Sequence, residues 1–157
     1  MAIGLFMKAA GSDGESENSA YKNWTHCTSF AWGASQPSSM ERGGGGSAGI
    51  GTFADLVVTA MMDKAYPDLL EKCSNGKHLD KLELAGAKMG GNQWEYMKIT
   101  LENVLVTSVS VSGSEGAEVI VAYGFQGSKL KSEYSPQDSK GNKGSTVVKQ
   151  WDVKQNK

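Results

Sequence analysis

The stretch Trp24-Thr25-His26-Cys27-Thr28-Ser29-Phe30-Ala31-Trp32 carries the first structural signal in this chain. Read with a period of two, Trp24, His26, Thr28, Phe30 and Trp32 fall on one face, and Thr25, Cys27, Ser29 and Ala31 on the other. One face is bulky and the other is small and mildly polar. Residues 23–33 are therefore expected to form a β-strand packed by its aromatic side, with His26 buried and hydrogen-bonded among the aromatics.

Strand-like segments recur on both sides of it, at residues 2–8, 52–62, 79–89, 94–106, 117–134 and 145–153. They are punctuated by turn residues such as Gly11-Ser12-Asp13-Gly14, Gly90-Gly91-Asn92 and Ser112-Gly113-Ser114. In the segment 94–106, Met97, Ile99 and Leu101 are expected to point inward, and Lys98, Thr100 and Glu102 outward. Gly124 and Gly127 mark bends in the long segment that follows. The composition agrees, with 20 glycines against three prolines.

One helix interrupts the strands, predicted over about residues 66–75. Pro67 suits its first turn, Asp68 faces the positive end of its dipole, and Gly76 suits a left-handed stop. Leu69, Leu70 and Cys73 are expected to share its packed face. Many antiparallel strands and one short helix make a mainly β fold, an antiparallel β-barrel with a flanking α-helix, because closure removes exposed strand edges. Residues 1–157 are read as one such domain, with residues 34–51, rich in glycine, projecting from it as a loop.

Composition excludes several classes of function. No run approaches the roughly 20 apolar residues that a membrane-spanning helix needs, and mean hydropathy is negative, so a soluble chain without membrane insertion is expected. The opening Met-Ala-Ile-Gly-Leu-Phe-Met-Lys places its lysine after a short apolar run, unlike a signal peptide. A formal net charge of −1 disfavours nucleic acid. That charge is uneven, because residues 129–157 hold seven lysines against Glu133, Asp138 and Asp152. The basic end and acidic body suit either a solvated terminal strand or a head-to-tail contact between copies.

Catalytic and cofactor motifs fare poorly. Gly44-Gly45-Gly46-Ser47-Ala48-Gly49 matches the letters of a dinucleotide fingerprint, but an irregular loop precedes it and a strand follows, where a helix is required. His26 and His78 are the only histidines, and no serine sits in a nucleophile elbow. Cys27 and Cys73 read as buried free thiols, since the chain lacks further ligands at metal-site spacing. Trp24, Trp32, Trp94 and Trp151 read as core or subunit-contact packing. No catalytic residue, cofactor or metal is expected.

Several blocks run in order along the chain: Gly14-Glu15-Ser16, Phe30-Ala31-Trp32-Gly33-Ala34-Ser35-Gln36 with the glycine loop, and Met62-Asp63-Lys64-Ala65 with Cys73-Ser74-Asn75-Gly76-Lys77-His78. Glu95-Tyr96, Ile99-Thr100-Leu101, Tyr134-Ser135-Pro136-Gln137 and Trp151-Asp152-Val153-Lys154-Gln155-Asn156 complete the set. Together they resemble the haemolysin-coregulated (Hcp) family, the tube proteins of the bacterial type VI secretion machine. The resemblance departs from the family at Ile50-Gly51, where a lysine is common, and in a shortened stretch between Gly113 and Tyr134.

The resemblance implies a non-enzymatic subunit whose six copies close into a ring and whose rings stack into an expelled tube. Its implied partners are other copies of itself, a spike protein of the VgrG type at the tip, a contractile sheath, and effector toxins carried in the lumen. It implies a bacterial cytoplasmic origin and secretion without a cleaved signal peptide, and no fused toxin domain is expected after the final block. Because a channel wall should be small and non-adhesive, Thr25, Cys27, Ser29 and Ala31 are the expected lumen-facing residues. The loop bearing Pro37, Met40, Arg42, Gly43, Gly44, Gly45 and Gly46 is expected to reach the neighbouring ring. A monomeric barrel binding a small ligand in its interior is the alternative.

Overall fold

The computed structural model describes residues 2–37 and 49–157. Among these residues nine strands and one helix follow one another as β1 (Ala2–Ala9), β2 (Thr25–Ala31), β3 (Ala34–Ser35), β4 (Thr52–Phe53), β5 (Leu56–Met61), α1 (Ala65–Asn75), β6 (Leu79–Met89), β7 (Trp94–Ser112), β8 (Ile120–Tyr134) and β9 (Val147–Asp152). Their hydrogen-bonded order is β5-β2-β1-β6-β7-β8-β9, and β5 also pairs with β8. That extra pairing closes six strands into an antiparallel barrel, so the expected fold class holds.

Strands β3 and β4 pair with each other in a separate sheet, and the length of β8 explains how β9 joins the large sheet yet stays outside the barrel. The first half of β8, Ile120–Phe125, pairs with β5, and its second half, Lys129–Tyr134, pairs with β9 on the same side. One continuous strand thus belongs to the barrel at one end and to an open sheet at the other. β7 reaches Ser112 where the periodicity suggested 106, because its tail finds partners on the first half of β8. The segment 52–62 is divided between β4, which pairs with β3, and β5, which pairs with β2 and β8.

Inside the barrel, Met7, Leu56, Val58, Leu82, Leu84, Leu101, Val104, Val121, Tyr123 and Phe125 are essentially inaccessible. Burial of this apolar surface is the principal stabilising term, at about 25 cal/mol per Å² removed from water. Helix α1 closes one side of this core with Ala65 and Leu69. Gly76 ends the helix at φ 72°, its N–H donating to the Lys72 carbonyl, in the expected left-handed stop. Leu70 departs from the expected packed face and lies 40% exposed.

A second, smaller core lies on the outer face of the sheet. Segment 10–24 folds back across β1 and β6, stacking Tyr21 on Phe6 with ring centroids 4.6 Å apart and covering Ala85 and Ala87. Tyr21 Oη donates to Glu95 Oε1 at 3.0 Å, anchoring the segment to β7. Among the described residues, no helix is long and apolar enough to cross a membrane.

Candidate functional site

Strand β2 contains a β-bulge. The β2–β5 register shifts between Cys27 and Ser29, which inserts an extra residue and turns the following side chains over. Thr25 and Cys27 point into the barrel and are 2% and 3% exposed, whereas Phe30 and Trp32 pack against the same core from beyond the bulge. His26, Thr28, Ser29 and Ala31 face out. Thr25 and Cys27 are therefore core residues, not wall residues, and the expectation of a buried His26 is corrected as well. His26 lies exposed with its ring 5.5 Å from that of Phe6. An unbroken two-fold pattern cannot register the bulge, and this is why only Ser29 and Ala31 retain the expected exposure.

Those two residues begin a larger surface. Register places Ser29, Thr59, Ala122 and Ser110 in one row across β2, β5, β8 and β7, and Ala31, Val57, Gly124 and Ser108 in the next. The two rows form an outward wall of small, uncharged side chains, with Val57 the largest. Gly124 lets the strands approach closely, because a Cβ there would meet Thr107 Oγ1 at 2.8 Å and collide with Ser108 Oγ.

The outer surface over β6, the start of β7, the end of β8 and β9 has the opposite character. Its rows read Lys81, Glu102, Lys129, Asp152 and then Ala85, Lys98, Glu133, Val148. Lys98 Nζ lies 2.8 Å from Glu83, and Lys131 Nζ lies 3.3 Å from Glu133. Burial alone would raise the Glu83 carboxyl, but the hydrogen bond and charge of Lys98, aided by Lys81, hold it below the usual range. One barrel thus presents a smooth wall and a charged wall.

Between the smooth wall and the charged wall runs an open groove of about 720 Å³. Phe6, His26, Met61 and Met89 contribute its lining together with Met62, and Glu15, Glu17, Asp63 and Glu118 give it four carboxylates. Asp63 lies deepest of these. Burial raises its carboxyl above the ordinary value, even though it accepts a hydrogen bond from the Ala65 N–H at 3.0 Å. At the far edge of the sheet, β9 pairs only with β8 among the described residues, and Val147, Val148, Lys149, Gln150 and Trp151 are all exposed.

The base of the glycine-rich loop is defined by the two-stranded pairing of Ala34 with Phe53 and Ser35 with Thr52. Beyond it the Gly49 N–H donates to the Pro37 carbonyl at 3.1 Å, and Pro37 is exposed. Met40, Arg42, Gly43, Gly44, Gly45 and Gly46 lie outside the described residues. Of the tryptophans, Trp24 and Trp32 pack on the two cores, Lys88 sits 5.1 Å over the ring of Trp94, and Trp151 is 39% exposed.

Residues 6–134 match the model of a family described as the type VI secretion system effector Hcp. The chain belongs to the Hcp family of type VI secretion proteins. It is 41% identical over 107 residues to protein hcp1 of Pseudomonas aeruginosa, and the match covers 65% of this chain and 65% of that relative's length. A solved type six secretion system protein superposes with a TM-score of 0.93 at 29% identity, over 99% of both chains. Hcp1 of Salmonella typhimurium superposes with a TM-score of 0.80 at 30% identity, over 100% of this chain and 99% of that one. As an Hcp protein, the chain carries two features that sequence reasoning missed, the acidic groove and the naked β9 edge. The uneven charge was their only trace in the sequence, because Glu15, Asp63 and Glu118 meet only through the fold.

Proposed function

We propose that this Hcp protein is the tube subunit of a type VI secretion apparatus, closing as six copies into a ring that stacks on further rings. The supporting observation is the division of its outer surface into a smooth wall and a charged wall. In a ring, the smooth wall through Ser29, Ala31, Thr59, Ala122 and Ser110 faces the lumen, where effector toxins pass without adhering. The charged wall faces outward toward a contractile sheath, and a spike protein of the VgrG type sits on the end of the tube. The glycine-rich loop, from Pro37 through Met40, Arg42 and Gly43–Gly46, reaches toward the next ring. The role is structural and requires no catalytic residue or cofactor.

The rival reading, a monomeric barrel with a small ligand inside, is opposed by an interior filled with Tyr123, Phe125, Met7 and leucines. Native mass by light scattering across a concentration series tests the proposal, followed by electron microscopy for stacked rings. A mass near six protomers supports it. A chain that stays at 16.7 kDa at every concentration overturns it.

A further inference from the structure

Strand β9 and the acidic groove are two incomplete surfaces of opposite character. Among the described residues, β9 pairs along one edge with β8 and leaves its other edge open, an arrangement that folded chains otherwise cover, shorten or bend away. Val147 is 56% exposed, Val148 41% and Val153 42%, and the exposed Lys149 and Lys154 follow Val148 and Val153 directly. Asp152, only part-exposed, accepts the Gln155 N–H on Oδ1 at 3.0 Å, and its backbone is tied to Lys157. The groove is the reverse, with Phe6, Met61, Met62 and Met89 among four carboxylates and no lysine or arginine among the described residues that line it.

The fold keeps these two surfaces apart. Register runs from His26 to Phe6, Ala85, Lys98, Glu133 and Val148, one residue per strand. Three to five strand spacings separate β9 from the groove lining, which runs from Met89 on β6 to His26 on β2, or roughly 14–24 Å along the sheet at about 4.8 Å each. A chain therefore does not fill its own groove with its own β9, whereas a second copy reaches it from the side. Contacts of this head-to-tail kind propagate until they close.

We infer that the acidic groove of one copy receives the β9 edge of the next, with Val147, Val148 and Val153 covering the Phe6–methionine lining. Lys149 and Lys154 then lie against Glu15, Glu17 and Glu118. This inference rests on the ring reading and names the surfaces that would join copies laterally. The apolar part supplies the attraction, and the charges fix which edge meets which groove and speed the encounter.

Charge reversal at exposed positions tests it. Glu17→Lys with Glu118→Lys reverses the groove, and Lys149→Glu with Lys154→Glu reverses the strand. All four side chains are exposed, so circular dichroism should give the wild-type fold for each double variant. Each double variant alone is expected to fall from assembled mass to the single-chain 16.7 kDa. Mixing the two in equal amounts should restore assembly, because each reversed groove then meets a reversed strand. Wild-type assembly should also require a higher protein concentration as salt is raised, since exposed charges are screened within about 10 Å at 0.1 M ionic strength.

If wild type assembles and both double variants assemble equally well, the contact is wrong and the ring reading stands. Variants that fall apart but do not recombine also overturn this pairing. A wild-type chain that never assembles overturns both the contact and the ring. Should a double variant misfold, the salt series on wild type decides, and assembly indifferent to salt overturns the charge pairing.

Discussion

Cys27 lies against Ala60 in the β2–β5 ladder, 3% exposed, and burial, with the nearby Asp63 charge, pushes its thiol far above the ordinary range. A thiol is reactive as its thiolate, so Cys27 is expected to resist a thiol reagent in the folded chain, assembled or not. The partly exposed Cys73 serves as the internal control. Mass spectrometry of briefly labelled protein reads the difference, and rapid modification of Cys27 without unfolding would contradict its placement. Two carboxylates give opposite pH signatures. Asp63 has a raised folded pKa, so its cost is absent below its unfolded value of 3.8 and grows as pH rises through the folded pKa. Glu83 has a lowered folded pKa, so its stabilisation is present above 4.5 and is lost as pH falls through the folded value. In urea unfolding against pH, Glu83→Gln should flatten the loss of stability below pH 4.5, while Asp63→Asn should remove the partial relief that protonation of Asp63 brings. Identical slopes for the wild type and both variants would sink these assignments.

At the level of elements, most strands and the helix were legible because their apolar residues repeat at the strand or helix period. Ile99 and Leu101 point inward as expected, and α1 stops at Gly76 as expected. What periodicity could not carry was the bulge after Cys27, since inserting one residue leaves the letters unchanged and reverses their facing. The same limit applies on β7, where Asn103 at φ 52° separates inward Leu101 from inward Val104, and where the register shifts again between Val106 and Ser108. Gly124 lies opposite that second shift, paired with Ser108. Gly124→Ala would push a methyl group into Ser108 and Thr107 and should cost about 1–3 kcal/mol, the usual price of overpacking. Thermal unfolding measures it, and a variant as stable as wild type would mean that β7 yields at the bulge without strain.

For the whole molecule, the closed barrel was legible from strand count and turn spacing, and family membership from blocks spread along the chain. The surfaces were less so, because rows such as Ser29–Thr59–Ala122–Ser110 draw one residue from each of four distant strands. The glycine-rich loop has its own test at this scale. Deleting Gly43–Gly46 should leave single rings intact by native mass while abolishing stacked tubes in electron micrographs. Loss of the rings themselves would assign the loop to the lateral contact instead. The length of β8 has a mechanical consequence for any assembly held through its edge. A pull on β9 along the strand direction loads the six pairs from Lys129–Asp152 to Tyr134–Val147 in shear, all together instead of one after another. The tension then passes without a joint along β8 into the part of that strand locked against β5 and β7. An edge strand that looks peripheral is in this way tethered directly to the closed barrel, and a thrust on the assembly would be borne by the barrel wall instead of by a hinge.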